Sequence, residues 1–345
     1  MQDPDSLTAE LATVLAEKTG GTVEIGELRR LTAGATKGTW AFDAMTGGKT
    51  EPLILQISRP RILTESHDGT TDPQADLPLL SGSEDAAIQQ AADQAGIAVP
   101  HVRFILALDR GRSLGVITDF VPGESLGRAI VTTPALSAAR QVFARQCGQN
   151  LAKLHAIDPA TLPFLKALGP ADQVQIYRRI YESFDHPQPA LELGLCWSED
   201  HLPERSVTCV VHGDFRNGNM IVNDAGIGAI LDWEIAHLGD PMEDLGWLCV
   251  NTWRFGGSAP VGGVGRREEL FGAYEQAGGR LVDPDHVRFW EGFGCIKWAI
   301  ICMMKGQAYR RGGGLARGLD LEAAAIGRRT EEPLHDFLNL AYPGD

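Results

Sequence analysis

Residues 210–248 read VVHGDFRNGNMIVNDAGIGAILDWEIAHLGDPMEDLGWL, and this stretch carries the strongest structural signal of the chain. Two apolar runs, Met220–Val222 and Ile227–Leu231, flank the turn-like segment Asn223–Gly226. Short apolar runs separated by Asn, Asp and Gly are typical of a β-hairpin. We therefore predict a hairpin at the centre of this stretch, with polar side chains at both of its ends.

The polar residues at the two ends of the hairpin form one candidate site. His212, Asp214 and Asn219 precede the hairpin, and Asp232 follows it. Because a hairpin brings its ends together, we expect Asp214, Asn219 and Asp232 to converge. Two carboxylates and an amide oxygen suit Mg²⁺, which takes few protein ligands and shares its other positions with water and substrate phosphates.

The motifs around the hairpin occur in a characteristic order, namely His212–Asp214 with Asn219, then Leu231–Glu234, Leu238–Pro241 and Asp244–Leu245. With these motifs the chain resembles the aminoglycoside phosphotransferase and choline kinase-like family. The resemblance is strongest to the branch found as a domain of some acyl-CoA dehydrogenase fusions. That family has Gly at the position of Gly213, where protein kinases have Arg. The alternative interpretation is a solvated acidic hairpin with capping Asn and Asp side chains.

The resemblance implies an α+β, bilobal protein kinase-like fold. Residues 1–121 would form a small β-rich N-lobe, with an N-terminal helix, a nucleotide-clamping antiparallel sheet and one further helix. Residues 122–345 would form a larger helical C-lobe with the catalytic loop and the acceptor site. The hydrophobic pattern agrees, because strand-like runs dominate up to about residue 121 and helical runs follow.

The resemblance also assigns roles to the hairpin site. Asp214 would be the base that accepts the proton of an acceptor hydroxyl, and Asn219 and Asp232 would hold Mg²⁺ on the phosphates of ATP or GTP. His212 would brace the loop through hydrogen bonds. The implied function is a small-molecule kinase that moves the γ-phosphate to an alcohol. For His155, Asp240 and Asp244 we favour structural roles in capping and bracing.

The N-lobe would bind the nucleotide. In the family, the loop at residues 32–38 covers the phosphates, so Gly34 and Lys37 are candidates for phosphate contacts. Two glycines between strands are as typical of a plain hairpin turn. The adenine would be bound by backbone groups near Asp119 and Val121, where an apolar strand runs into Pro122-Gly123-Glu124.

The chain departs from the family in its predicted third strand. A Lys or Arg is expected where this sequence has Gln56, and a neutral amide cannot supply that charge. Lys37, Arg59 and Arg61 are candidate substitutes; otherwise nucleotide affinity is reduced. Without a lysine at this position, we interpret Glu84 and Asp85 as carboxylates favoured at a helix N-terminus rather than as an ion-pair partner.

Gln56 leaves open a second function, a nucleotide-binding pseudokinase or regulatory module. A third, a metal-dependent phosphohydrolase, is opposed by the strand-rich N-lobe, which makes sense as a nucleotide clamp. The acyl-CoA dehydrogenase fusions suggest a hydroxyacyl-type acceptor, whereas the aminoglycoside resemblance is an analogy of fold and a weaker guide to the acceptor.

Composition limits the partners and the compartment. The chain has 345 residues, 43% of them hydrophobic, and a formal net charge of −14. An acidic surface repels phosphate backbones, which argues against nucleic acid, and no apolar run is long enough for a membrane span. The six cysteines show no CxxC spacing, so we predict free thiols in the cytoplasm. A homodimer is left open.

Overall fold

The computed structural model describes residues 4–31, 37–58, 73–204, 206–308 and 331–343. Several predicted features lie outside these ranges: Gly34 with most of the predicted phosphate loop, Arg59 and Arg61, most of the long loop predicted before Glu84, and the first part of a helix predicted at 319–341.

The N-terminal part of the chain forms one antiparallel sheet flanked by two helices. The strands are paired in the order β1-β3-β4-β6-β5, and β2 also pairs with β3. The elements are α1 (Pro4–Thr19), β1 (Val23–Ile25), β2 (Arg29–Leu31), β3 (Gly38–Thr46), β4 (Lys49–Ser58), α2 (Gly82–Gln94), β5 (Val102–Leu108) and β6 (Ser113–Asp119).

Helix α1 covers one face of this sheet. Leu7, Leu11 and Leu15 recur at the helical spacing of four residues and are fully buried. They pack with Phe42 of β3 and Leu55 of β4 in a separate apolar cluster. The predicted amphipathic helix at residues 5–19 is therefore confirmed.

The first predicted strand, Val23–Leu31, is wrong as a single element. The structure divides it into β1 and β2, which pair with different parts of β3. The break lies at Gly26, whose N–H donates to the carbonyl of Asp43 at 2.8 Å. The three residues between the strands are not in the ladder, and the apolar run shows nothing of this interruption.

The rest of the chain is mainly helical. Its elements are α3 (Gly127–Thr132), α4 (Ser137–His155), α5 (Pro170–Glu182), α6 (Pro189–Asp200), β7 (Cys209–Val211), β8 (Met220–Asn223), β9 (Gly226–Ile230), β10 (His237–Gly239), α7 (Pro241–Cys249), α8 (Arg267–Gln276), α9 (Pro284–Ala308) and α10 (Glu331–Ala341). A short 3₁₀ segment, Asn251–Arg254, follows α7.

The helices enclose the largest apolar core, and close backbone contact allows two of them to meet. A Cβ at Gly148 of α4 would meet the carbonyl oxygen of Leu270 and would lie 2.8 Å from the amide nitrogen of Tyr274, both on α8. Only glycine fits this contact without displacing α8. The contact matters for the site because α4 ends at His155, which lies under the loop described below.

The predicted hairpin is confirmed. Strands β8 and β9 pair antiparallel, with Met220 opposite Ile230 and the turn closed between Asn223 and Gly226. The N–H of Leu231 donates to the carbonyl of Asn219 at 2.8 Å, which ties the two ends of the hairpin together. A second ribbon of β7 and β10 lies before and after it in sequence.

The observed mixture of one antiparallel sheet and a helical second part confirms the predicted α+β class. The lobe boundary at residue 121 stays a prediction. Five of the six cysteines are buried, and Cys196 is exposed. Among the helices of the described ranges, none has the length and apolar character that a membrane crossing requires.

Candidate active site

Asp214 lies at the centre of the loop from His212 to Asn219, called the HGD loop below. Oδ1 of Asp214 accepts hydrogen bonds from Trp247 Nε1 at 2.7 Å and from Arg216 Nε at 3.0 Å. Oδ2 accepts a hydrogen bond from Asn219 Nδ2 at 2.6 Å. An ionised carboxylate has about four acceptor sites, so three donors fix this group and leave room for a further donor such as a hydroxyl.

Asp232 follows the second strand of the hairpin and has a left-handed backbone, with φ of 68°. Its side chain is solvent-exposed, although neighbouring protein atoms displace part of the water around it. This desolvation and the negative charge of Asp214 raise the pKa of the Asp232 carboxyl. The charges of Lys37 and Arg216 act in the opposite direction. Asp214 and Asp232 therefore lie close enough to repel each other.

His212 is fully buried and takes part in the geometry of the HGD loop. Its Nδ1 accepts the backbone N–H of Asp214 at 3.2 Å, and its Nε2 lies 3.1 Å from the carbonyl oxygen of Leu231. These partners require a neutral ring with the proton on Nε2. Burial lowers the pKa of His212, in agreement with this tautomer. The ring connects the loop before the hairpin to the residue that precedes Asp232.

Asp244 on α7 stabilises the HGD loop by accepting hydrogen bonds from its backbone. Its carboxylate accepts the backbone N–H groups of His212 at 2.8 Å and Gly213 at 3.0 Å. His155 Nε2 lies 3.2 Å from the same carboxylate, and its Nδ1 lies 2.9 Å from the hydroxyl of Tyr274. Burial alone would raise the pKa of Asp244, but His155 and His212 lower it overall. The structural roles predicted for His155 and Asp244 are confirmed.

Asp240 is the N-cap of α7, because its side chain accepts the N–H of Met242 at 2.8 Å. The capping role predicted for this residue is also confirmed.

The prediction that Asp85 serves only as a helix-terminal carboxylate is wrong. Lys37 Nζ lies 2.9 Å from Asp85 Oδ2, and both side chains are nearly buried. Burial works to lower the pKa of Lys37, but Asp85, Asp232 and Glu234 outweigh it and raise the pKa. The prediction holds for Glu84, which forms a capping box with Ser81 at the start of α2.

Lys37 lies on the side of the sheet that carries Gln56. Residues directly opposite in a ladder point to the same face, and Thr39 is opposite Gln56. Lys37 immediately precedes β3, and its contact with Asp85 of α2 places its ammonium group on the same side of the sheet as Gln56. This is the α2 side, since Val116, the other neighbour of Gln56, packs against Ala86 of α2.

The segment after β6 is anchored to the hairpin. The backbone N–H and carbonyl of Glu124 each pair with Val222 at 2.8 Å. Gly123 has φ of 151°, and a Cβ there would lie 2.6 Å from Ile221 and 2.7 Å from the carbonyl oxygen of Val222. Asp119 uses its side chain to bind Arg103, so only its backbone is a candidate for contacts with adenine.

The hairpin site fits a hard cation. Asp232 carries a carboxylate whose ionisation is disfavoured by desolvation from its neighbours and by the charge of Asp214, and a bound cation would remove that penalty. Asn219 donates through its amide nitrogen to Asp214, which leaves its amide oxygen as a ligand. Within the described residues there is no group of three or more His, Cys, Asp or Glu placed to hold a metal, so the remaining positions would fall to water and phosphate oxygens.

A cavity of about 870 Å³ opens beside Arg216. The guanidinium of Arg216 lies 4.3 Å from the centroid of the Trp253 ring, which also lines the cavity. Arg128, Phe255 and Trp298 contribute further walls. Arg216 also donates from Nε to Asp214 Oδ1, so one side chain connects the wall of this cavity to the carboxylate at the centre of the HGD loop.

Sequence reasoning did not identify three residues of this site, and it rejected the ion pair of a fourth. Arg216 and Trp247 contact Asp214, Asp85 pairs with Lys37, and Lys297 lies beneath the loop. The position of Arg216 inside the motif was a usable signal. Trp247 and Lys297 read as core positions of apolar helices, and nothing in their spacing indicates a polar contact.

Comparison with known proteins identifies relatives of part of the chain. It is 30% identical over 218 residues to acyl-CoA dehydrogenase family member 10 of Mus musculus, which is 59% of this chain and 20% of that protein. It is 28% identical over 192 residues to family member 11 of the same organism, covering 51% of this chain and 24% of the relative. The chain thus spans about a fifth to a quarter of these relatives.

Solved structures show the same fold over nearly the whole chain. A protein of Ralstonia eutropha, provisionally identified as an aminoglycoside phosphotransferase, matches with a TM-score of 0.70, 18% identity and 98% coverage of both chains. A spectinomycin phosphotransferase in complex with ADP and spectinomycin matches with a TM-score of 0.64, 14% identity and coverage of 96% of this chain and 98% of the other. The predicted kinase-like fold is confirmed.

The model of the phosphotransferase enzyme family matches residues 27–290. This range includes strands β2 to β6 of the sheet, the HGD loop, the hairpin and helices α2 to α8, and thus well over half of the sequence. The resemblance inferred from the sequence motifs is therefore confirmed, and the chain belongs to the phosphotransferase enzyme family.

Proposed function

We propose that this protein is a kinase that transfers the γ-phosphate of ATP or GTP to a hydroxyl of a small molecule. The observation that carries the proposal is the convergence of Asp214, Asn219 and Asp232 at the two ends of the hairpin. Asn219 links them, since its side chain bonds Asp214 and its carbonyl bonds the residue before Asp232.

Asp214 is the proposed base. In the reaction, the acceptor hydroxyl gives its proton to the Asp214 carboxylate while its oxygen forms a bond to the γ-phosphorus. The bond from that phosphorus to the bridging oxygen breaks, and ADP or GDP leaves with the electron pair. The donors from Trp247, Arg216 and Asn219 hold the carboxylate in one orientation, which is the main requirement of phosphoryl transfer.

Lys37 is the proposed phosphate ligand in place of the cation expected at Gln56. It is held by Asp85 and lies on the same face of the sheet as Gln56. Asp232 is among the charges that raise the pKa of Lys37, so the cation faces the proposed metal site. The chain thus keeps a lysine–carboxylate pair between the sheet and α2, with the lysine one strand away from its usual place.

Asn219 and Asp232 are the proposed Mg²⁺ ligands, and His212 braces the loop between them. When bound, the ion would neutralise the charge of the nucleotide phosphates. Gly34, Asp119 and Val121 remain the proposed nucleotide contacts of the phosphate loop and of the hinge.

The acceptor is proposed to enter the cavity beside Arg216. Its volume of about 870 Å³ lies within the range of about 300–1,000 Å³ that is usual for small-molecule sites. The relatives that carry acyl-CoA dehydrogenase names favour a hydroxyacyl-type acceptor. The structural neighbour with spectinomycin shares the fold at 14% identity and does not assign an antibiotic to this chain. A cytoplasmic location is proposed, and a homodimer remains open.

The second candidate, a nucleotide-binding pseudokinase, is favoured by Gln56 alone. The pairing of Lys37 with Asp85 weakens that argument, since it supplies a cation on the same face.

The proposal is tested in two steps. A thermal-shift screen of ATP, GTP, ADP and GDP, each with and without Mg²⁺, should show stabilisation that depends on the ion. A panel of hydroxyacyl compounds, amino alcohols and aminoglycosides is then incubated with the preferred nucleotide, and products are identified by a mass gain of one phosphoryl group. Nucleotide binding without product across a broad panel supports the pseudokinase, and absence of nucleotide binding rejects both functions.

A further inference from the structure

Lys297 is a buried cation beneath the HGD loop. It lies in the middle of α9, and its side chain is 6% exposed. Its Nζ lies 3.3 Å from Oε1 of Glu243 on α7 and 3.5 Å from the carbonyl oxygen of Gly213. Removing an ammonium group from water is costly unless its charge is balanced and its donors are bonded, so these contacts are what keep the lysine inside.

Two aromatic rings complete the surroundings of this ammonium group. Nζ lies 4.9 Å from the centroid of the Trp247 ring and 5.8 Å from that of Tyr177, within the range of cation–π attraction. Trp247 is also the donor to Oδ1 of Asp214 at 2.7 Å. One cation therefore contacts both supports of Asp214: the carbonyl of the preceding residue and the ring that binds the carboxylate.

The charge of Lys297 is fixed by its partners. Burial acts to lower the pKa of Lys297, but Tyr177, Glu243 and Asp214 outweigh it and raise the pKa. Glu243 in turn accepts a hydrogen bond from Gln173 at 2.6 Å and lies 3.1 Å from His237 Nε2. The lysine is thus held protonated within a closed set of polar partners.

Stability alone does not explain a lysine at this position. Its neighbours on α9, among them Phe293, Ile296 and Ile300, are fully buried apolar residues. Replacing a buried ion pair by apolar side chains of similar volume is often neutral or stabilising. What an apolar side chain could not supply is the directed contact with the Gly213 carbonyl and the Trp247 ring.

We propose that Lys297 is a positioning residue, which holds the Asp214 carboxylate in its reactive orientation through the Gly213 carbonyl and the Trp247 ring. The consequence for turnover rests on the proposed function of Asp214, whereas the contacts themselves do not. Without the ammonium group, the ring and the carbonyl lose a shared anchor. A misplacement of about 1 Å at a reacting group can cost about 10²-fold in rate.

The test uses the double variant Lys297→Met with Glu243→Gln, which removes the ion pair without leaving an unpaired charge. The matched control is Ile300→Ala, one helical turn along α9, which creates a cavity at a fully buried apolar position. Melting temperatures of both variants establish that the chains fold. If Ile300→Ala lowers the melting temperature at least as much as the double variant does, a change in the Trp247 signal or in kcat that occurs only in the double variant cannot be attributed to lost stability.

The first readout is the indole N–H resonance of Trp247. The chain has seven tryptophans, and Trp247→Phe assigns the signal. Asp214→Asn gives the reference position for an indole that has lost its carboxylate partner. We expect the Trp247 signal to move towards this reference in the double variant and to stay at its wild-type position in Ile300→Ala. An unmoved signal in the double variant overturns the proposal, whether or not turnover can be measured.

The second readout is turnover with Mg²⁺, nucleotide and the acceptor found in the panel. We expect kcat of the double variant to fall about 10-fold or more, with nucleotide affinity unchanged, since none of the Lys297 contacts described above is with a proposed nucleotide or metal ligand. An unchanged kcat overturns the proposal. If the indole signal moves but the wild-type protein turns over no acceptor, the proposed kinase function fails and the positioning of Asp214 by Lys297 stands.

Discussion

Lys37 and Asp85 form an ion pair of 2.9 Å between the start of β3 and helix α2, across 48 positions of sequence. Lys37 shares a face of the sheet with Gln56, and the charges of Asp232 and Glu234 contribute to raising its pKa. The pair therefore places a protonated lysine opposite the carboxylate proposed to hold the metal.

Lys37→Ala is expected to weaken ATP binding much more than Gln56→Ala. A hydrogen bond to a charged group contributes about 1.5–3 kcal/mol, which corresponds to a roughly 10–100-fold increase in Kd, while loss of the neutral amide should cost less than about threefold. Calorimetric titration with Mg²⁺ and ATP measures both. The control is Lys49→Ala, an exposed lysine paired with Glu51. Equal effects at Lys37 and Gln56 would remove Lys37 from the phosphate site and direct attention to Arg59 and Arg61.

A gain-of-function variant provides a second test of the same idea. Adding Gln56→Lys to Lys37→Ala returns a cation to the face of the sheet next to Asp85, at the place the family pattern expects. We expect ATP affinity to recover at least in part relative to Lys37→Ala alone. If ATP affinity does not recover although the melting temperature is unchanged, the side chain at position 56 does not face the nucleotide phosphates.

Asp232→Asn is expected to abolish Mg²⁺-dependent nucleotide binding while the protein stays folded. Desolvation by its neighbours and the charge of Asp214 raise the pKa of the Asp232 carboxyl, and a neutral Asn removes the repulsion with Asp214. The unliganded variant should melt at the same temperature as the wild type or higher. Asp224→Asn, in the exposed turn of the same hairpin, is the control. Wild-type affinity for Mg²⁺ and nucleotide in Asp232→Asn would rule out the metal role.

Acid should destabilise the protein through His212. Its pKa is lowered from the ordinary value of 6.5 by burial. Below pH 6.5 the unfolded state therefore binds a proton that the folded state does not. As the pH is lowered, the free energy of unfolding decreases by at most about 1.4 kcal/mol per pH unit. Urea denaturation of His212→Gln should show a smaller decrease in the free energy of unfolding between pH 7 and 5.5 than the wild type shows. The control His186→Gln, at an exposed position, should show the same decrease as the wild type. Equal pH slopes in wild type and His212→Gln would contradict the neutral tautomer.

Gly148→Ala is expected to destabilise the fold by about 1–3 kcal/mol, the usual cost of overpacking. A Cβ at this position would meet backbone atoms of Leu270 and Tyr274 on α8. Gly272→Ala on α8 is the matched control, because a Cβ there has only the end of Gln276 within 4 Å. That change should stabilise α8 by about 0.5–1 kcal/mol. Thermal denaturation compares them, and a neutral Gly148→Ala would mean that α8 can move away.

The local pattern of the sequence predicts the parts of this fold that depend on neighbours in the chain. The hairpin follows from two apolar runs and an Asn-Asp-Ala-Gly turn, and helix α1 follows from Leu7, Leu11 and Leu15 at helical spacing. The convergence of Asn219 with Asp232 is a direct consequence of hairpin geometry, so it too could be predicted.

Contacts between distant segments could not be predicted in the same way. Lys37 contacts Asp85 only because α2 packs on the face of the sheet to which Lys37 points. The sequence pattern predicts neither the partner of the lysine nor the orientation of the helix. Lys297 and Trp247 lie in apolar helical runs, where a buried lysine or indole donor is indistinguishable from a core position. The interruption at Gly26 depends on a backbone bond to Asp43, which leaves no trace in hydrophobic periodicity.

The kinase function depends most on Asp214. Asp214→Asn keeps the shape of the side chain but removes its charge and its ability to take a proton. A proton-transfer group of this kind contributes about 10²–10⁴-fold to rate, so turnover should fall by roughly that factor. Nucleotide affinity should be nearly unchanged, because Asp214 serves the acceptor. Steady-state kinetics with the acceptor in hand, beside calorimetric titration with nucleotide, measures both quantities.

The structural cost of Asp214→Asn must be separated from the chemical one. Trp247, Arg216 and Asn219 all donate to the carboxylate, and an amide offers them one acceptor oxygen instead of two, so some loss of stability is expected. Leu11→Ala loses stability in the separate apolar cluster of α1, away from the HGD loop, and should retain turnover below its melting temperature. A purely structural Asp214 predicts that both variants lose activity in proportion to stability, and a pseudokinase has no turnover to lose. Full activity in Asp214→Asn would end the kinase interpretation, because the proposed reaction assigns the proton of the acceptor hydroxyl to this carboxylate.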